Sequence, residues 1–125
     1  MQIGYAEATT TQSNITSEVD ITSLSVDVTV STGGYKVRIT GFLPRMYGTA
    51  GDRVAFRIKE GSTTIQTAYY GVVAEGAALI VEAIITPSAG NHTYKLTMQR
   101  DTGSNNVNLY MASDAQGFIH VEELV

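Results

Sequence analysis

The sequence contains no cysteine. Disulfide frameworks, thiolate metal sites and thiol nucleophiles are therefore excluded. Proline occurs only twice, at Pro44 and Pro87. Charge is sparse as well: Asp, Glu, Lys and Arg make up 16% of the chain, below the usual quarter or so. Eight Lys and Arg stand against twelve Asp and Glu, for a formal net charge of -4. A broad basic footprint is missing, so nucleic acid is not expected as a partner. No segment reaches the roughly eighteen uninterrupted apolar residues of a membrane-spanning helix, and a membrane is not expected as a partner either. The start, Met1 to Asn14, is polar and Thr-rich. It lacks the basic region and apolar run of a secretory signal.

What is present is alternation. With 125 residues and 43% hydrophobic content, the chain suffices for one domain that buries about two-thirds of its unfolded surface. Leu24, Val26, Val28 and Val30 alternate with polar residues, as do Tyr35, Val37 and Ile39 after Gly33-Gly34. These two runs read as a hairpin. Gly41 to Gly51 reads as a loop. Val54, Phe56 and Ile58 alternate with Arg53, Arg57 and Lys59, and Thr63 to Tyr70 returns as the second arm of another hairpin. Ala78 to Thr86 is apolar on both faces, with Glu82 as its only charge. Tyr94, Leu96 and Met98 alternate in turn, Val107 to Met111 follows, and Phe118 to Val125 closes the chain. The period is two throughout, giving about eight to nine strands with turns about every eight to twelve residues. That pattern predicts an all-β, antiparallel β-sandwich. Residues 1–14 are read as an N-terminal arm or a first strand, and residues 15–125 as the sandwich domain.

The inventory for catalysis is thin. A phosphate loop of the form Gly-x-x-x-x-Gly-Lys-Ser/Thr does not occur, nor does a Gly-x-Ser-x-Gly nucleophile elbow. His92, at a junction of turn and strand, and His120, in the last strand, read as hydrogen-bonded structural or interface histidines. His120 and Glu122 share a face of their strand, but two ligands make a weak metal site. Asp101 to Asn106 resembles a calcium loop only faintly, because Ala112 occupies the position of the closing acid. It reads as a polar hairpin turn. Glu122 and Glu123 point to opposite faces. No cofactor and no metal is expected, and the chain is not expected to be an enzyme.

Two features point to binding. Tyr47, Tyr69 and Tyr70 are candidate exposed aromatics, since neighbours on a strand face opposite ways. Arg53, Arg57 and Lys59 form a basic row, and Lys36 and Arg38 lie on another run. If the two runs pair, one face gathers five cations as a partner-binding face.

Several stretches from Gly51 onward carry a likeness. Asp52-Arg53-Val54-Ala55-Phe56-Arg57-Ile58-Lys59-Glu60-Gly61 fits a strand of the form D-x-V-x-x-R-I-x-x-G. Pro87-Ser88-Ala89-Gly90-Asn91-His92-Thr93-Tyr94 fits P-x-x-G-x-H-T-Y. Ile119-His120-Val121-Glu122-Glu123-Leu124 fits a terminal h-x-V-E-D/E-L. In these motifs the chain resembles a small β-sandwich module of tailed-bacteriophage virion proteins. Each motif is structural and none is chemical. The resemblance implies a jelly-roll-like sandwich assembled as a homotrimer. That agrees with the surplus of apolar strand faces, which needs a partner. Ile80, Ile84, Phe118, His120 and Leu124 are the expected subunit interface.

Two roles follow from the resemblance. The first is a capsid decoration protein on the outer surface of the virion head, with the phage major capsid protein as partner. In that role Ile3 and Tyr5 of the N-terminal arm would add a strand to a shell subunit. The second is a tail-tip or fibre domain that binds a host-surface receptor or glycan. A fibre tip is expected to follow a long attachment region, which favours the first role.

Overall fold

A strand turns successive side chains to opposite sides. The chain becomes extended wherever one of those sides is apolar. The computed structural model describes residues 1–124. Ten strands are formed among them. They are β1 (Gln2–Ala8), β2 (Gln12–Ile15), β3 (Val19–Val30), β4 (Lys36–Tyr47) and β5 (Arg53–Glu60), followed by β6 (Thr63–Gly71), β7 (Ala77–Ile85), β8 (Gly90–Thr102), β9 (Val107–Tyr110) and β10 (Gly117–Leu124). All pairings between them are antiparallel. The architecture is the all-β sandwich that the alternation predicts, jelly-roll-like as the resemblance implies.

One sheet runs β3-β8-β5-β6. The other is built on β4. Along Lys36–Phe42, β4 pairs with β10, which in turn pairs with β1. On its other side it pairs with β7. Met46 pairs with Ala77 on one side and Leu109 on the other, so β9 and then β2 extend the sheet beyond the end of β10.

The interior is filled from both sheets. Ile39, Leu43, Met46, Val81, Ile119 and Val121 come from one, and Leu24, Phe56, Ile58, Tyr94, Leu96 and Met98 from the other, all nearly or wholly inaccessible to water. Each large apolar side chain buried this way contributes about 1.5–3 kcal/mol. The sheets approach closely at Gly41. A Cβ there would lie 2.6 Å and 2.8 Å from the two terminal carbons of Leu96.

Three expectations are corrected. The runs 24–30 and 35–40 do not form a hairpin: β3 pairs with β8 and β4 with β10 and β7, in different sheets. Residues Ser31 to Tyr35 cross from one layer to the other. Alternation is the same for two strands that share an interior from opposite sides as for two that share a ladder, so the pattern does not separate the cases. Gly41 to Gly51 is not wholly loop, because β4 continues to Tyr47. Pro44 is tolerated there because the β7 ladder shifts register between Leu43 and Met46, where a missing N–H is harmless. Finally, residues 1–14 are not a free arm. Residues 2–8 pair along β10, and the Met1 ammonium donates to the Glu123 carbonyl at 2.9 Å. Residues 1–14 hold β1 and most of β2, two strands of the sandwich, and Ile15 is the end of β2 rather than the start of a separate domain.

Gly41→Ala is expected to destabilise the fold by about 1–3 kcal/mol through overpacking against Leu96. Denaturant titration of the purified variant measures this, and an unchanged midpoint would contradict the close approach of the sheets.

Candidate functional site

The two outer faces of the sandwich differ in chemistry. That of β3-β8-β5-β6 is polar and internally satisfied. Glu18 accepts from the Thr97 hydroxyl at 2.8 Å and pairs with Arg57 at 3.2 Å and Lys59 at 3.1 Å. Partial burial pushes the Glu18 carboxyl up, but Thr97, Lys59 and Arg57 together hold it below the usual range. Lys95 pairs with Asp20 at 2.9 Å, and Arg53 with Asp101. Thr93 donates to Asp27 at 2.6 Å.

This arrangement corrects the basic row. Arg53, Arg57 and Lys59 lie on β5, while Lys36 and Arg38 lie on β4 in the other sheet. The five cations do not share a face. Arg53, Arg57 and Lys59 are engaged by carboxylates of the same chain, and Arg38 pairs with Glu122 at 2.8 Å.

The outer face of β1-β10-β4-β7 is different. Cross-strand register aligns Glu7, Phe118, Phe42 and Ile80 in one row. The next row holds Tyr5, His120, Thr40 and Glu82, and the next Glu122, Arg38 and Ile84. Leu124 lies opposite Lys36 at the end. The rings stack across the strands: Tyr5 on Phe118 with centroids 5.9 Å apart, and Phe118 on Phe42 at 5.3 Å. His120 meets Tyr5 edge-on at 6.5 Å. Ile80 and Ile84 are each 51% exposed at the β7 edge, and Tyr5 is 44% exposed. At ordinary strand spacing the strip from Tyr5 to Ile80 spans about 14 Å. Partial burial, then the Glu7 carboxylate that accepts its hydroxyl at 3.1 Å, raise the Tyr5 pKa above its ordinary value.

Ile80, Ile84, Phe118, His120 and Leu124 therefore lie on one face. Tyr5 joins them. Ile3 sits where the β1–β10 register shifts, between Gln2 and Gly4. Ile3 and Tyr5 thus belong to an edge strand of the sandwich, paired with β10 on one side, and not to a detached arm. Phe42 is the member that sequence reasoning missed. Its signal was the apolar triplet Gly41-Phe42-Leu43, masked by Pro44.

The three tyrosines have separate fates. Tyr47 lies under the Arg45 guanidinium at 4.8 Å, and Tyr69, 55% exposed, under that of Arg53 at 5.0 Å. Tyr70 is half-buried against the core rather than exposed. Its hydroxyl donates to the Ile80 carbonyl at 2.5 Å and accepts from the Ile80 N–H at 3.2 Å. Gln66 donates to the Glu82 carbonyl at 3.3 Å. Side chains of β6 thus occupy backbone groups on the open edge of β7.

His92 clamps a turn. Its Nδ1 lies 2.8 Å from Glu60 and its Nε2 2.8 Å from the Ser88 carbonyl, and the ring stacks flat on Tyr94 with centroids 5.8 Å apart. The Ser88 carbonyl, then Glu60, raise its pKa above the ordinary 6.5, against a smaller opposing effect of burial. In the loop Asp101 to Asn106, the Asn105 N–H donates to the Asp52 carboxylate at 3.2 Å, as a polar turn requires. Among the described residues, no three His, Asp or Glu side chains are grouped to hold a metal ion.

No family model matches the sequence, and no curated protein matches it. Similar folds occur among solved structures. Murine APRIL superposes with a TM-score of 0.57 at 8% identity, over 95% of this chain and 98% of that one. PRD1 vertex protein P5 gives 0.54 at 10% identity, over 99% and 96%. A CBM36 carbohydrate-binding module in complex with calcium and xylotriose gives 0.50 at 15% identity, over 94% and 98%. At these identities the shared property is the sandwich fold.

Two predictions follow from the side-chain network. The raised pKa of His92 means that its clamp is fully present below the ordinary pKa of 6.5 and is lost as pH rises through the folded value. His92→Ala should lower the melting temperature more at about pH 5.5 than at about pH 8.5; an equal loss at both would show that the ring acts by packing alone. Tyr70→Phe should cost about 0.5–1.5 kcal/mol and speed amide exchange at Ile80, with little change at core amides of β4. Unchanged exchange at Ile80 would remove Tyr70 from the edge.

Proposed function

We propose that the chain is a tailed-phage virion structural protein, a homotrimer that binds the outer surface of the head shell and stabilises it without catalysis. One observation carries this reading: the stacked aromatic and apolar strip on the outer face of β1-β10-β4-β7, against a mainly polar opposite face. A single subunit has no further layer with which to cover that strip, and a continuous apolar patch of this kind marks an interaction site. A second copy of the chain is the natural cover, because the face carries its own charge complement: Lys36 at one end and Glu82 toward the other. The number three, the phage setting and the head location rest on the resemblance in the Gly51–Gly61, Pro87–Tyr94 and Ile119–Leu124 motifs. The fold likeness to a protein named as the vertex protein of PRD1 is compatible with them.

The mechanism is thermodynamic. A ligand that binds only the assembled lattice stabilises it by mass action. Three copies of one contact on a rigid body raise avidity by about 10²–10⁴ over a single contact. With β1 held in the sandwich, shell contact falls to loops and edges rather than to a donated strand.

Sedimentation of the purified chain should give a trimer, and a stable monomer at micromolar concentration would defeat the proposal. Ile80→Asp combined with Ile84→Asp alters two exposed side chains, so it should leave the fold intact and yield a monomer. Labelling of intact particles should decorate the head at a copy number that scales with its area. A handful of labels at the tail tip would replace the head reading with the fibre one.

A further inference from the structure

A cavity of about 230 Å³ lies at the sandwich edge where β1 turns into β2 and passes β3. Its frame is fixed by two side chains. The Gln12 amide donates to the Asp20 carbonyl at 3.1 Å and accepts from the Thr22 N–H at 3.0 Å, tying β2 to β3. The Thr11 hydroxyl donates to the Met111 carbonyl at 3.3 Å and accepts from the Met111 N–H at 3.4 Å. The remaining polar lining is uncommitted: among the described residues, the hydroxyls of Thr9, Thr10, Thr22 and Ser23 have no hydrogen-bond partner in the chain. Ser23 holds a φ of 71°, a left-handed conformation that residues with a side chain rarely adopt. It lies within the register shift of β3 against β8, between Asp20 and Ser25, and the bulge there accounts for it. Glu7 completes the lining, its carboxylate oriented by the Tyr5 hydroxyl at 3.1 Å.

We propose that this cavity binds one neutral pyranose ring. The lining contains no cation, so an anion would meet the Glu7 carboxylate without compensation. It contains no aromatic ring, so a flat apolar ligand would strand four hydroxyls. A polyhydroxylated ring satisfies both kinds of group: its hydroxyls donate to Glu7, and they donate to and accept from Thr and Ser. The volume is below the roughly 300 Å³ at which drug-sized sites begin and accommodates one ring. The inference rests on neither the trimer nor the phage setting.

The test is a titration of the ¹⁵N-labelled full chain with methyl glycosides of neutral hexoses, pentoses and N-acetylhexosamines, with the free sugars in parallel. At least one sugar should give saturable amide shifts confined to residues 7–12 and 22–23. Glu7→Gln should weaken that binding by about tenfold. Methyl glycosides binding as well as free sugars would identify the end of a glycan as the source, whereas binding of free sugars alone would identify a monosaccharide. Three outcomes would overturn the proposal: no saturable shift with any sugar, shifts centred elsewhere such as Tyr47 and Tyr110, or undiminished binding by a folded Glu7→Gln variant. The mapping uses the unaltered chain, so it stands even if the variant fails to fold.

Discussion

Two sheets enclose one interior, and each strand sends every second side chain away from it. An apolar residue on the outward side has only water or another molecule to meet. This geometric limit organises the whole structure. On β3-β8-β5-β6 the outward positions hold Asp20, Asp27, Thr93, Lys95 and Arg57, and their hydrogen bonds close within the chain. On β1-β10-β4-β7 they hold Tyr5, Phe118, Phe42, Ile80 and Ile84. One side is closed by its own hydrogen bonds, and the other leaves aromatic and aliphatic side chains partly in water.

The edges reinforce that division. An open strand edge invites pairing with any extended chain. Here β7 is the exposed flank of its sheet, and it is guarded from the neighbouring layer. Tyr70 engages both backbone groups of Ile80, and Gln66 takes the Glu82 carbonyl. Lateral growth by strand addition is disfavoured at these positions, while the broad face beside them stays accessible. At β7 this favours association through side chains rather than through a backbone ladder.

Much of this was legible before any coordinates. The period-two runs gave the all-β class, the β5–β6 hairpin and the inward sets Val54-Phe56-Ile58 and Tyr94-Leu96-Met98, because alternation reports burial directly. The outward set Ile80, Ile84, Phe118, His120 and Leu124 was equally readable, since those residues break the polar half of the alternation. What could not be read was which strands lie side by side. The pairing of β1 with β10 joins residues more than a hundred positions apart, and no local pattern encodes it. The same blindness merged Lys36 and Arg38 with Arg53, Arg57 and Lys59 into one imagined face. It left Glu18 unseen, although that residue pairs with two of the five. Phe42 was lost to a local rule, Pro44 as a sign of loop, that the β4 irregularity overrides.

The register of the aromatic stack has a consequence for the order of events in the cell. Phe118 is its middle ring, and β10 leaves the ribosome after β1, β4 and β7. Until then Tyr5 and Phe42 belong to strands that have no shared neighbour. The continuous stack of three rings therefore forms only when β10 takes its place between β1 and β4.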